Sequence, residues 1–92
     1  MYTNEIKGDI TMIYKTKGTC STSINVEVDN DTITSVSFTG GCNGNLQGIS
    51  RLVEGMKIDD AISRLSGIKC GFKPTSCPDQ LAKALEEIKS AQ

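Results

Sequence analysis

The chain has 92 residues, with 10 Lys and Arg against 11 Asp and Glu, four Cys, nine Gly, and neither His nor Trp. That length suits one small domain over residues 1–92 with a modest core, and the near-neutral, interspersed charge argues against the field that gathers nucleic acid or an anionic membrane surface. Without histidine, the Ser-His and Cys-His nucleophile pairs and every His-ligated zinc or iron centre are excluded.

Ile10 to Thr16 is β-branched and aromatic and stops at Gly18, which predicts a first strand. Thr22 to Asp29 alternates, with Ile24, Val26 and Val28 on one face and Ser23, Asn25 and Glu27 on the other, the period of a half-buried strand. Asp29-Asn30-Asp31 carries turn chemistry, and Thr32 to Thr39 resumes β character with Val36 and Phe38 on one face. A three-stranded antiparallel meander is expected. After Gly40-Gly41-Cys42-Asn43-Gly44, the residues Leu46, Ile49, Leu52 and Val53 recur at helical spacing until Gly55, predicting a helix over 45–54. Ile58, Ala61, Ile62 and Leu65 repeat that spacing behind Asp59 and Asp60, and Gly67 closes this second, short helix. A loop over 68–75 leads to Ser76 as N-cap, Pro78 in the first turn and Asp79 at the positive end of the helix dipole. Leu81, Ala84, Leu85 and Ile88 then form the stripe of a third helix. Strands first and helices after predict an α+β fold with the helices packed on one face of the sheet.

No run approaches the roughly 18 apolar residues of a membrane span. Met1-Tyr2-Thr3-Asn4-Glu5 lacks the basic-then-apolar pattern of a signal peptide, so a cytosolic protein with reduced thiols is expected. Each cysteine falls at a junction: Cys20 before the second strand, Cys42 in the glycine turn, Cys70 in the loop after the second helix, Cys77 at the start of the third. Loops beside glycines are poor places to bury apolar groups and good places to collect metal ligands, so Cys20, Cys42, Cys70 and Cys77 are the candidate metal ligands. Three features favour thiolates there. Cys77, and less so Cys42, lies near a helix N-terminus; Gly40, Gly41 and Gly44 let backbone amides approach a sulfur; Lys69 and Lys73 flank Cys70. Ser76 supports the site as the cap. No C-x-x-C pair occurs, so tertiary folding has to gather the thiols, and four of them suit tetrahedral zinc or an iron–sulfur cluster equally. Asp29, Asp31, Asp59 and Asp60 lack EF-hand spacing, and Phe72 reads as an ordinary packing residue in preference to a cover over the thiols.

Thr75-Ser76-Cys77-Pro78-Asp79 spells the motif that names the TSCPD domain, and the chain resembles small stand-alone four-cysteine proteins of that family. Gly18-Thr19-Cys20-Ser21, Phe38-Thr39-Gly40-Gly41-Cys42-Asn43-Gly44-Asn45-Leu46, Gly55-Met56 and Ile68-Lys69-Cys70-Gly71 extend the resemblance over nearly the whole length. Related domains end vitamin B12-dependent ribonucleotide reductases, which implies a metal or redox accessory module. A chain of this size has no room for the reductase barrel itself. A more distant similarity is to iron–sulfur scaffolds of the NifU and IscU type, implying that Cys20, Cys42 and Cys77 correspond to three scaffold ligands. The scaffold aspartate is replaced by Ser21-Thr22, its histidine by Ser76, and the proline-rich chaperone-binding segment is missing; Cys70 stands in as fourth ligand. The resulting expectation is a zinc or iron–sulfur module that is not a complete enzyme alone, with a ribonucleotide reductase or a cluster acceptor as protein partner. The other reading is a thiol redox module in which Cys77 and Cys70 cycle between dithiol and disulfide.

Overall fold

The computed structural model describes residues 2–4, 9–19, 21–41 and 43–91. Strands β1 (Tyr2–Asn4), β2 (Asp9–Lys15), β3 (Ser21–Asp29) and β4 (Thr32–Gly40) form one antiparallel sheet in sequence order, followed by helices α1 (Asn43–Val53), α2 (Ile58–Leu65) and α3 (Cys77–Ala91). The α+β arrangement and the three expected strands are present, each strand ending within a residue of its predicted bounds. β1 is an addition, pairing Tyr2 with Met12 and Asn4 with Ile10 at the sheet edge. Three residues are too few to display an alternating pattern, which is why the sequence did not announce it.

The buried face of the sheet carries Ile10 and Met12 of β2, Ile24, Val26 and Val28 of β3, and Ile33 and Val36 of β4. Strict alternation cannot place both Ile33 and Val36 inward, because they lie three positions apart and an odd offset puts two residues of a strand on opposite faces. A bulge resolves the parity: Val28 pairs with Ile33 and Glu27 with Ser35, leaving Thr34 as the extra residue, whose hydroxyl donates to the Glu27 carbonyl at 3.0 Å. A second irregularity skips Thr22 between the Ser21–Gly40 and Ser23–Thr39 pairs, with the Thr22 hydroxyl donating to the Thr39 carbonyl at 3.2 Å. Asn30 takes positive φ in the two-residue turn joining β3 to β4, a conformation that asparagine tolerates better than most side chains.

α3 lies against β2 and β3, and residues of the helices share one core with the buried face of the sheet. Leu81, Ala84, Leu85 and Ile88 of α3 are fully buried, as the predicted stripe requires, and α2 packs on α3 through Ala61 and Ile58. α1 lies beside β4, and the turn after it is pinned there by Gly55 N–H to Ile33 C=O at 2.7 Å and Ile33 N–H to Met56 C=O at 2.9 Å. Two expectations for α1 need correction. The helix starts at Asn43 and so absorbs Gly44 into its first turn, and Leu52 is 77% exposed instead of joining the core. With Leu46 and Val53 already facing the sheet, the rotation of α1 leaves Leu52 on the outer side. Among the described residues no helix is long and apolar enough to cross a membrane.

Candidate thiol site

The start of α3 is held by the residues of the Thr75–Asp79 segment itself. Ser76 caps the helix, accepting the Asp79 N–H at 3.1 Å, while its own hydroxyl donates to the Ile68 carbonyl at 2.6 Å. Asp79 accepts the Gly67 N–H at 2.7 Å through one oxygen and the Thr75 hydroxyl through the other. Gln80 donates to the Thr75 hydroxyl oxygen at 3.0 Å and accepts the Lys17 N–H at 3.1 Å. Cys70 N–H donates to the Thr75 carbonyl at 3.2 Å. Five polar side chains, Ser21, Thr75, Ser76, Asp79 and Gln80, are thereby buried at one end of the domain. No buried side-chain nitrogen or oxygen among the described residues lacks a partner. The bond from Thr75, followed by that from the Gly67 amide, holds the Asp79 carboxyl below its ordinary pKa against the opposing effect of burial.

This polar hub fastens two cysteine-bearing segments together. Cys77 is the first residue of α3 and half-buried; Cys70, in the loop tied back to Thr75, is exposed. Both open onto one largely apolar groove of about 500 Å³, floored by Gly44, Gly48, Ile49 and Leu52 of α1 and closed by Ile68, Lys69 and Pro78. The Cys77 sulfur lies 3.1 Å from the Ser21 hydroxyl, at the start of β3. Gly40 and Gly41 both have positive φ, and a Cβ on Gly41 would come within 3.2 Å of the Ser21 nitrogen and 2.8 Å of the Leu46 side chain. The turn after β4 therefore presses on Ser21 in a way only glycine permits.

Cys20 and Cys42 lie outside the described residues, so of the four predicted ligands the structure places Cys70 and Cys77, at the same groove. Among the described residues no three His, Cys, Asp or Glu side chains are gathered as a metal site. Gly40 and Gly41 turn the chain at positive φ, and Gly41 lies close against Ser21. Gly44 does not: a Cβ there would meet nothing within 4 Å. Lys69 lines the groove from an exposed position, and Ser76 performs its capping role. Phe72 is not a packing residue; it is fully exposed at the tip of the 68–75 loop, because the short turn closed by Lys73 N–H to Cys70 C=O directs it away from the core.

Sequence reasoning missed the hub. In the sequence Asp79 reads only as a dipole-compensating residue and Ser21 only as a departure from a scaffold pattern. The available signal was a Thr and an Asp four apart across a helix start, a spacing at which a hydroxyl reaches a carboxylate. The TSCPD domain family matches the chain over residues 5–89. No curated protein and no solved structure gives a match.

Proposed function

The chain belongs to the TSCPD-domain family, and on that premise we propose that Cys20, Cys42, Cys70 and Cys77 form one four-thiol site that binds zinc or an iron–sulfur cluster. The observation that carries this reading is the meeting of three cysteine-adjacent segments at the first turn of α3. Ser21, which follows Cys20 in the sequence, touches the Cys77 sulfur; Gly41, which precedes Cys42, abuts the Ser21 backbone; the Cys70 amide is tied to Thr75. Cys20 and Cys42 adjoin those anchors in the sequence. The donor set also fits: four soft thiolates match tetrahedral zinc or a Cys-ligated cluster, and the α3 N-terminus favours the surplus negative charge such a centre carries. A bound ion would in addition stabilise a domain whose core is small.

A second reading is supported by the exposure of Cys70 beside half-buried Cys77 in an apolar groove. There, Cys70 and Cys77 would give up two electrons and two protons to a disulfide of a partner such as a ribonucleotide reductase, forming a disulfide themselves. Purification without oxygen, followed by zinc and iron quantification and an absorption spectrum, separates the two. The metal reading expects zinc, or iron with visible absorbance, at a fixed ratio to protein, falling together with melting temperature in Cys42→Ser and Cys77→Ser. Metal-free protein whose melting temperature ignores both chelator and added metal overturns it. In that case, loss of two thiols on mild oxidation and their return with dithiol would favour the redox role.

A further inference from the structure

We propose that Ser21 is a positioning residue of the thiol site, donating its hydroxyl proton to the Cys77 sulfur and thereby setting the direction and electron richness of that ligand. The proposal rests on the four-thiol reading. Its basis is a polar side chain only 3% exposed whose oxygen lies 3.1 Å from the sulfur. In the metal-free protein either atom of this pair can donate; the Ser21 carbonyl accepts from the Thr16 and the Thr19 hydroxyls, the latter at 3.2 Å, which leaves the Thr19 oxygen at 3.3 Å as a more distant, competing acceptor for the Ser21 proton. A metal-bound thiolate has no proton and only accepts, which leaves Ser21 as the donor. A neutral thiol reverses the roles without moving an atom, because a hydroxyl both donates and accepts. Ser21 is therefore suited to both the empty and the loaded site.

Its placement is fixed from three sides. The skipped Thr22 aims the start of β3, Gly40 pairs with Ser21 across the sheet, and Gly41 leaves no room for a side chain against its nitrogen. These contacts fix the backbone from which the buried Ser21 hydroxyl projects, and the sulfur it touches sits on the first turn of α3. Hydrogen bonds to a metal ligand orient it and tune its donation, and loss of the orientation typically costs roughly 10–100-fold in metal affinity.

The test uses the full chain loaded with cobalt(II), whose sulfur-to-metal charge-transfer bands report on thiolate ligation, and with zinc in competition with a chelator. Wild type should show intense charge-transfer absorption. Ser21→Ala should keep the metal ratio, shift those bands, and bind zinc roughly 10–100-fold more weakly, while Ser21→Thr, which retains the hydroxyl, should restore the wild-type band energies. Exchange into heavy water should shift the metal–sulfur stretching frequencies of wild type, and this needs no substitution. Unchanged bands and affinity in Ser21→Ala, or no heavy-water shift in wild type, would overturn the role of Ser21 and leave the four-thiol site standing. No charge-transfer absorption in wild type would instead remove the site, and the inference with it.

Discussion

Replacing Asp79 with Asn removes a charge and one acceptor from the centre of the polar hub while keeping the shape of the side chain. Asp79 takes two bonds, from Gly67 N–H and from the Thr75 hydroxyl. An asparagine oxygen preserves one of them. Its NH2 group then faces the Thr75 oxygen, which already accepts from Gln80, so the Thr75 proton loses its acceptor. The loss of one bond to a charged group costs about 1.5–3 kcal/mol, and for a domain of this size a change of that order lowers the melting temperature by roughly 10 °C. The pH dependence gives a second handle. Because the folded-state pKa of Asp79 is lowered, chiefly by Thr75, its contribution is complete above the ordinary carboxylate range and disappears as pH falls through the native value. Asparagine does not titrate, so the stability gap between wild type and Asp79→Asn should be widest near neutrality and close on strong acidification. Urea unfolding of the metal-free proteins at several pH values measures both effects. A gap below about 0.5 kcal/mol at neutral pH, the scatter of an ordinary surface substitution, or a gap that acid leaves untouched, would refute the assignment of Asp79 as the hub.

Two glycines should respond in opposite directions. Gly41→Ala forces a side chain into positive φ and to 2.8 Å from Leu46, so it should destabilise by more than about 1 kcal/mol and weaken metal retention, both read by thermal melting with and without zinc. Gly48→Ala, inside α1 with nothing within 4 Å of the added carbon, should stabilise the fold by roughly 0.5–1 kcal/mol in the same melts; a loss of stability would show that α1 is not the open helix described.

Much of the fold could be read from periodicity because the apolar residues of β3 and α3 repeat without interruption, and repeats fix the face that turns inward. Ile33 was the exception within the sheet, since the Thr34 bulge that brings it inward is set by pairing between strands and has no local signature. Leu52 and Gly44 were misjudged for a related reason: helical spacing identifies a stripe, but the rotation of α1 about its axis is decided by contact with β4. Cys70 and Cys77 were recognisable from residue type and junction placement. The partners that hold them were not, because Thr75, Asp79, Gln80 and Lys17 are each unremarkable in isolation and acquire meaning only when a loop and a helix start are brought side by side.

The two ends of the domain are built by different rules, and the groove explains why. Away from α3's first turn, Ile24, Ile33, Leu85 and Ile88 are fully buried between sheet and helices. At the thiol end, α1 presents Gly44 and Gly48 where larger side chains could fill the gap toward Ile68 and Pro78. Gly48 lies in the helix interior, where glycine is unfavourable, and neither it nor Gly44 is crowded enough for close packing to compensate within the chain. What Gly44 and Gly48 provide is open volume beside Cys70 and Cys77. With apolar packing withdrawn from that end, the stability of the sulfur-bearing segments falls to the Asp79 hub, whose bonds are directional and tolerate little displacement. Directional bonds specify position more narrowly than apolar contact does, which is the property required where ligands from separate segments have to meet at one centre.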